Sequence, residues 1–213
     1  ANEAFLDTAS VRSSVVSHAK TLGYTPNSVR APVAFVNVTL NGIGALTSAT
    51  IPVGTVFTTV IDDINYQFVT VAEHSTQIEN GIISFSNLPI YEGTYVTNRY
   101  TVDTDNVDQK FYVNDENGDT TTLIVDVFDN SSSTSSTTFT LATDTTQTAS
   151  DSNVYFLQES VDGKFEIYFG DGIIGKALSD GNIVRMRYVV TNKTKANGAS
   201  SFSTSATISG ITN

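Results

Sequence analysis

Between Val154 and Ala199 the sequence alternates apolar and polar residues and is cut at short intervals by glycine. That pattern confines the chain to short strands joined by tight reversals. Val154–Glu159 and Lys164–Phe169 flank Ser160-Val161-Asp162-Gly163, a spacing that suits a hairpin because glycine can close such a loop at positive φ. In the second strand Phe165, Ile167 and Phe169 fall on one side, and Lys164, Glu166 and Tyr168 on the other. Phe169-Gly170-Asp171-Gly172 then reads as a tight reversal in which Asp171 accepts nearby backbone amides. Asp180-Gly181-Asn182 is another turn. Ile183–Thr191 follows as a strand with Val184, Met186 and Tyr188 opposite Arg185, Arg187 and Val189.

One helix is expected, over Ser10 to Leu22, where Val11, Val15, Ala19 and Leu22 recur at three- and four-residue steps and give one packing or interface stripe. Ser10 is the expected N-cap, Gly23 the C′ residue, and Pro26 stops propagation. From Val33 the pattern is β: Val33–Leu40, Thr55–Ile61, Tyr66–Val71, Ile82–Phe85 and Tyr95–Val102, then Val107–Val113, Thr120–Phe128 and Thr137–Leu141. Asp129–Thr134 and Thr143–Ser152 are too poor in apolar residues to bury much and read as peripheral loops. The expected fold is therefore mainly β (α+β), a helical segment over 1–30 followed by two small antiparallel domains of sandwich type. The first spans 31–103. The second spans 104–213 and carries the Phe-Gly-Asp-Gly hairpin and a C-terminal polar strand or linker.

Composition narrows the chemistry. Twenty-two acidic against 11 basic residues give a net charge of −11, with no Lys/Arg-rich patch, so a phosphate backbone would be repelled and no nucleic-acid partner is expected. Cysteine is absent, which rules out disulfides and thiolate metal sites. No apolar run approaches the roughly 20 residues needed to span a bilayer as a helix. Asp103-Thr-Asp105-Asn-Val-Asp108 and Asn114-Asp115-Glu116-Asn117-Gly118-Asp119 offer oxygen ligands for calcium, but neither has the twelve-residue loop pattern ending in Glu, and turn chemistry is the simpler reading. Gly170 to Gly175 lacks the lead into a helix and the Lys-Ser/Thr that a phosphate cradle requires. Glu159 and Glu166 could be paired as a glycosidase acid and base, and His18 or His74 placed in a Ser-His-Asp site, yet no nucleophile elbow accompanies them. No catalytic residue, metal or cofactor and no small-molecule substrate is expected.

Phe169-Gly170-Asp171-Gly172 with Gly175, then Asp180-Gly181-Asn182 and an alternating strand ending near Ala196-Asn197-Gly198-Ala199, resembles the baseplate J-like proteins of contractile tails, the wedge subunits of myovirus phages in particular. Thr8 to Pro26, a helix leaving through Leu22-Gly23-Tyr24-Thr25-Pro26 ahead of Ala31-Pro32-Val33, resembles the same family in the same order. The resemblance implies a structural part of a baseplate wedge, located in the virion tail and assembled in the host cytoplasm. Its implied partners are other wedge proteins and further copies of itself, joined in a ring that rearranges on sheath contraction and genome ejection. It also implies that the chain is an internal piece of a longer one. Composition alone fits an acidic surface adhesin or receptor-binding module, calcium-dependent or not, equally well. Such modules usually repeat internally, and no repeat is found here.

Overall fold

A computed structural model describes residues 2–5, 7–21, 26–41, 43–143, 148–160 and 163–211. The fold is mainly β with one short helix, α1 (Arg12–Thr21). The strands are β1 (Val33–Leu40), β2 (Ser48–Ile51), β3 (Val56–Ile61), β4 (Ile64–Val69), β5 (His74–Gln77), β6 (Ile83–Glu92) and β7 (Thr94–Thr101). They continue as β8 (Phe111–Val113), β9 (Gly118–Phe128), β10 (Thr137–Leu141), β11 (Val154–Glu159), β12 (Phe165–Phe169) and β13 (Ile183–Val190). Among the described residues no helix is long and apolar enough to cross a membrane.

The chain forms two compact units, each assembled from separated stretches: residues 1–28 with 97–187, and 29–96 with 188–213. This differs from the expected division at 30/31 and 103/104, which follows sequence order. The helix-bearing start groups with the later strands, and the stretch from Tyr188 onward returns to the earlier ones. The sheet order accounts for it, since β7 and β13 are neighbours and each carries the chain from one unit to the other.

In the unit of residues 29–96 and 188–213, β1, β6, β4 and β3 form a sheet in that order and β2 pairs with β5. Alternation does the work the sequence suggested. Phe57, Phe68, Ile83, Phe85 and Ile90 turn inward with Leu40, Ile51 and Ile208, while Phe35 on β1 stays 63% exposed. The β3–β4 hairpin closes through Asp62 and Asp63 at φ 49° and 63°, a two-residue turn whose twist matches the strands it joins. Glu92 is fully buried at the end of β6. Its carboxylate accepts from Thr191 Oγ1 (2.6 Å), Asn192 N (2.9 Å) and Asn192 Nδ2 (2.7 Å).

The unit of residues 1–28 and 97–187 is built on a seven-stranded sheet of order β7-β13-β9-β10-β11-β12-β8. The β11–β12 hairpin pairs Tyr155 with Phe169 through to Glu159 with Phe165, in the register the sequence suggests. An all-antiparallel arrangement is not what forms, because β10 and β11 are parallel, with Thr140 opposite Val154. The loop between them brings the chain round to run in the same direction, and Thr140 N donates to Asn153 O while Ala142 N donates to Tyr155 O. Aromatic edges pack under the sheet, Phe169 meeting Phe111 at 5.5 Å and Phe139 at 5.4 Å between centroids. The segment expected as a strand from Val107 pairs only from Phe111. Val107 itself is 92% exposed in an acidic loop held by Asx turns at Asp103 and Asn106.

Candidate functional site

The glycine motif is a stiff loop at the end of β12. Asp171 Oδ1 accepts from Ile173 N (2.9 Å) and Ile174 N (3.0 Å), and these two amides hold its carboxyl below the usual carboxylate range, Ile174 first. Gly172 N donates to Gly175 O at 3.0 Å, which folds the loop back on its own start. A Cβ at Gly170 would lie 2.2 Å from the carbonyl carbon and oxygen of Gly175, so only glycine allows the two backbones to touch. Gly175, at φ 80°, is in turn tied to the preceding loop by its N–H on Ala149 O (3.1 Å). The geometry leaves Ile173 75% and Ile174 44% exposed on a backbone that is tied at both ends.

Asp180, Gly181 and Asn182 form a second clamp. Asn182 Oδ1 accepts from Ser179 N (2.8 Å), its Nδ2 donates to Asp129 O (3.0 Å), and Asp180 Oδ1 accepts from Thr104 N (3.2 Å). Gly181 N and Val102 O, with Val102 N and Asn182 O, zip this turn to the chain leaving β7. The motif residues Phe169, Gly170, Asp171, Gly172 and Gly175 thus shape one loop, and Asp180, Gly181 and Asn182 fasten another to β7 and to the β9–β10 connection. Replacing Gly170 with Ala is expected to cost about 2–3 kcal/mol, since backbone rather than a flexible side chain must yield. Faster amide exchange at Gly175 and Lys176 would register the opened loop, and unchanged exchange and stability would refute the tight packing assigned here.

The helix departs from expectation in its cap and its buried face. Val11 precedes α1 and is 52% exposed, Val15 and Ala19 are half-buried, and Val16 is the buried position at 6%. Leu22 lies outside the described residues. Ser10 does not accept an amide. Its hydroxyl donates to Glu3 Oε1 (2.8 Å), and the Glu3 carboxylate takes the N–H groups of Ser10 (3.1 Å) and Val11 (3.1 Å). A carboxylate seven residues upstream therefore occupies the helix entrance, where the dipole also favours negative charge. His18 Nε2 meets Glu3 O at 2.9 Å and holds the same segment from the far side. Arg12 reaches Glu159 at 2.7 Å, joining the helix start to the end of β11.

Burial decides what substitutions on this helix do. Val16→Asp should destabilise by about 3 kcal/mol or more, whereas Val11→Asp should stay within about 0.5 kcal/mol, a contrast that denaturant titration resolves. The Ser10 hydroxyl, then the Ser10 and Val11 amides, lower the Glu3 pKa from 4.5 to about 2. The sign follows from that depression: the stabilising contribution is complete above pH 4.5 and is lost as pH falls through about 2. Between those values Glu3→Gln should lose its disadvantage against the natural chain, as read by helical circular dichroism.

The carboxylates weighed as a glycosidase pair do not converge. Glu159 stands opposite Phe165 and Glu166 opposite Gln158, so the two point to opposite faces of the β11–β12 ladder, and Glu166 is held by Gln158 Nε2 (2.6 Å) and Lys110. Asp103 and Asp115 spend their oxygens on Asx turns, and among the described residues no three His, Asp or Glu side chains gather as a metal site. A buried cluster that sequence reasoning did not reach sits on β9. Asp126, 2% exposed, accepts from Arg185 Nε (3.2 Å) and Nη2 (2.9 Å), Arg187 Nη2 (2.7 Å) and Thr138 Oγ1 (2.8 Å). Arg185 also lies 4.7 Å over the Phe128 ring. The signal was a single Asp inside the apolar run Ile124-Val125-Asp126-Val127-Phe128 together with two arginines at alternate positions of another apolar strand.

The glycine loop, the clamp at Asp180–Asn182 and the Asp126 cluster fall inside a region with known counterparts. Residues 96–199 match the family described as the third domain of bacteriophage baseplate wedge protein gp6. Over an alignment of 239 positions the chain is 28% identical to baseplate wedge protein gp6 of Enterobacteria phage T4, taking in 99% of this chain and 33% of the relative. The chain thus spans about a third of the length of the curated relative it matches. Thr8 to Pro26 lies outside the family match, whereas Val154 to Ala199 lies wholly within it. By both matches the chain is similar to baseplate wedge protein gp6.

Proposed function

We propose that this chain is a structural segment of a phage tail baseplate wedge, of the baseplate J-like kind, and that it works through contacts rather than catalysis. The observation that carries the reading is the match of residues 96–199 to the wedge protein's third domain, which includes the whole glycine loop. The geometry agrees with it: the loop's polar groups are spent on their own backbone, and the exposed Ile173 and Ile174 are held on a rigid support rather than beside a tuned acid or base. In this reading the chain contacts other wedge proteins and further copies of itself in the virion tail, having assembled in the host cytoplasm. Those contacts complete a ring that shifts between two arrangements of similar free energy when the sheath contracts and the genome is ejected. The loop at 169–175, the clamp at 180–182 and the helix face around Val15 and Ala19 are the proposed supports of those contacts.

Immuno-electron microscopy on particles, with antibody raised against this chain, tests the proposal. Label gathered at the tail end beneath the sheath is the expected result. Label on cell surfaces or on the tips of extended fibres would overturn it in favour of an adhesin.

A further inference from the structure

Four Asn-Gly pairs punctuate the chain, at Asn41, Asn80, Asn117 and Asn197, and Asp171 and Asp180 also precede glycine. An Asn or Asp so placed is open to its own backbone, because glycine has no Cβ to keep the next peptide nitrogen from the side-chain carbonyl carbon. At Asn that nitrogen loses its proton and bonds to Cγ, the Cγ–Nδ2 bond breaks, and the side-chain nitrogen leaves with the proton as ammonia. Water then opens the cyclic imide on one side or the other, giving aspartate or isoaspartate. The sequence makes the pairs equivalent. The fold does not, since the glycine N–H must be free of an acceptor and the Asn side chain free to swing over it.

Three of these turns are closed to the reaction. Gly172 N donates to Gly175 O (3.0 Å) and Gly181 N to Val102 O (2.9 Å), while the Asp171 and Asp180 carboxylates accept amides of their own. Gly118 N donates to Asp115 O (3.0 Å), Asn117 N donates to Asp115 Oδ1 (2.8 Å), and Asn117 Oδ1 is shut away from water. Two turns are open. Asn80 and Gly81 are both exposed, at φ 52° and 78°, and Asn197 and Gly198 are both exposed, with Gly198 at φ 98°. Among the described residues neither of these glycine N–H groups and neither Asn side chain meets a hydrogen-bond partner, and a Cβ at either glycine would have nothing within 4 Å. Asn41-Gly42 lies partly outside the described residues.

We propose that Asn80 and Asn197 are sites of self-modification, deamidating through the cyclic imide, and that the fold spares Asn117. The proposal rests on the geometry of the turns and does not depend on the baseplate reading. Each event adds a negative charge. The isoaspartate product also carries the backbone through Cγ, one atom longer, at one turn where Glu79 bridges Ile82 and at another where Ala196 enters the core. The test is incubation of the full chain in mildly alkaline buffer, beside the same chain unfolded in guanidinium chloride, with conversion at each Asn followed by peptide mapping in a mass spectrometer. In the unfolded chain the three Asn should convert at similar rates, which separates the effect of the fold from that of the motif. In the folded chain Asn80 and Asn197 should each convert at least about tenfold faster than Asn117, which has two hydrogen bonds to give up first. If either Asn80 or Asn197 converts no faster than Asn117 in the folded chain, or if the same order of rates persists in the unfolded one, the proposal is overturned.

Discussion

Asp126→Ala is expected to cost about 3–5 kcal/mol, because removing one partner of a buried ion pair leaves the others charged and uncompensated. Arg185 and Arg187 have side chains only 24% and 22% exposed, so water cannot fully take over the role of the carboxylate. For a chain of this length the loss should appear as a fall in melting temperature of about 10 °C, followed by circular dichroism. A control separates the pair's net value from the cost of orphaning it. Replacing Asp126, Arg185 and Arg187 together by Leu, Met and Met should recover most of the stability, since well-packed apolar groups often do as well as a buried ion network. If the single variant melts like the natural chain, the cluster is not carrying the sheet junction between β9 and β13.

The same site fixes the sign of a pH effect. Burial pushes the Asp126 carboxyl up, but Thr138, Arg185 and Arg187 together outweigh it and leave the pKa below the ordinary 3.8. A depressed acid stabilises above its unfolded value and ceases to as pH falls through the folded one. The gap between natural chain and Asp126→Ala should therefore be constant from neutral pH down to about 3.8 and close below it. A gap that widened on acidification would contradict the assignment.

How much of this was legible beforehand depends on whether the deciding forces were local. β1, β10 and β11 were readable to the residue, and β12 to within one, because alternation and turn glycines act over a few positions. The short β2 and β5 were not, since Ser48–Ile51 alternates over only four residues, His74–Gln77 is polar throughout, and the two strands pair with each other. Alternation puts Val189 on the side of Arg185 and Arg187 and says nothing of its burial. It is fully buried because it packs with Ala31 and Val69, residues more than a hundred positions away. The helix stripe was misplaced for the same reason: three- and four-residue spacing marks Val11, Val15 and Ala19, but the entrance is set by Glu3, and the chain becomes helical one residue after Val11. Glycine needs at Gly170 were visible as a motif, though not their cause, a backbone contact with Gly175. Which of 22 acids are buried cannot be read from sequence at all, since a carboxylate is buried only where donors from elsewhere converge.

Glu92 shows that convergence most fully. With no exposure and three donors on its two oxygens, Glu92→Ala should destabilise the unit of residues 29–96 and 188–213 by about 4 kcal/mol, leaving the Thr191 hydroxyl and both Asn192 nitrogens to find other partners. Glu92→Gln keeps the volume but presents an amide N–H₂ to a donor, and should cost about 2 kcal/mol. The effect has a direction along the chain. Thr191 Oγ1 also accepts from Lys193 N (2.9 Å), and Lys193 sits at φ 63°, so the carboxylate supports the reversal that sends the chain back after β13. The next residue allows no alternative packing: a Cβ at Gly93, already at φ 127°, would lie 2.2 Å from Val190 O. Beyond that reversal Ala196 and Ile208 are buried in the same core as Phe68 and Ile90, and Ser203 bridges Thr58. Loss of Glu92 should accordingly free residues 193–211 before the sheet itself unfolds. Limited proteolysis would show it as new cleavage after Lys193 or Lys195 at temperatures where the β1–β6 ladder is still protected from hydrogen exchange. Simultaneous loss of both would mean that the segment and the sheet are one cooperative element and that Glu92 does not act as its clasp.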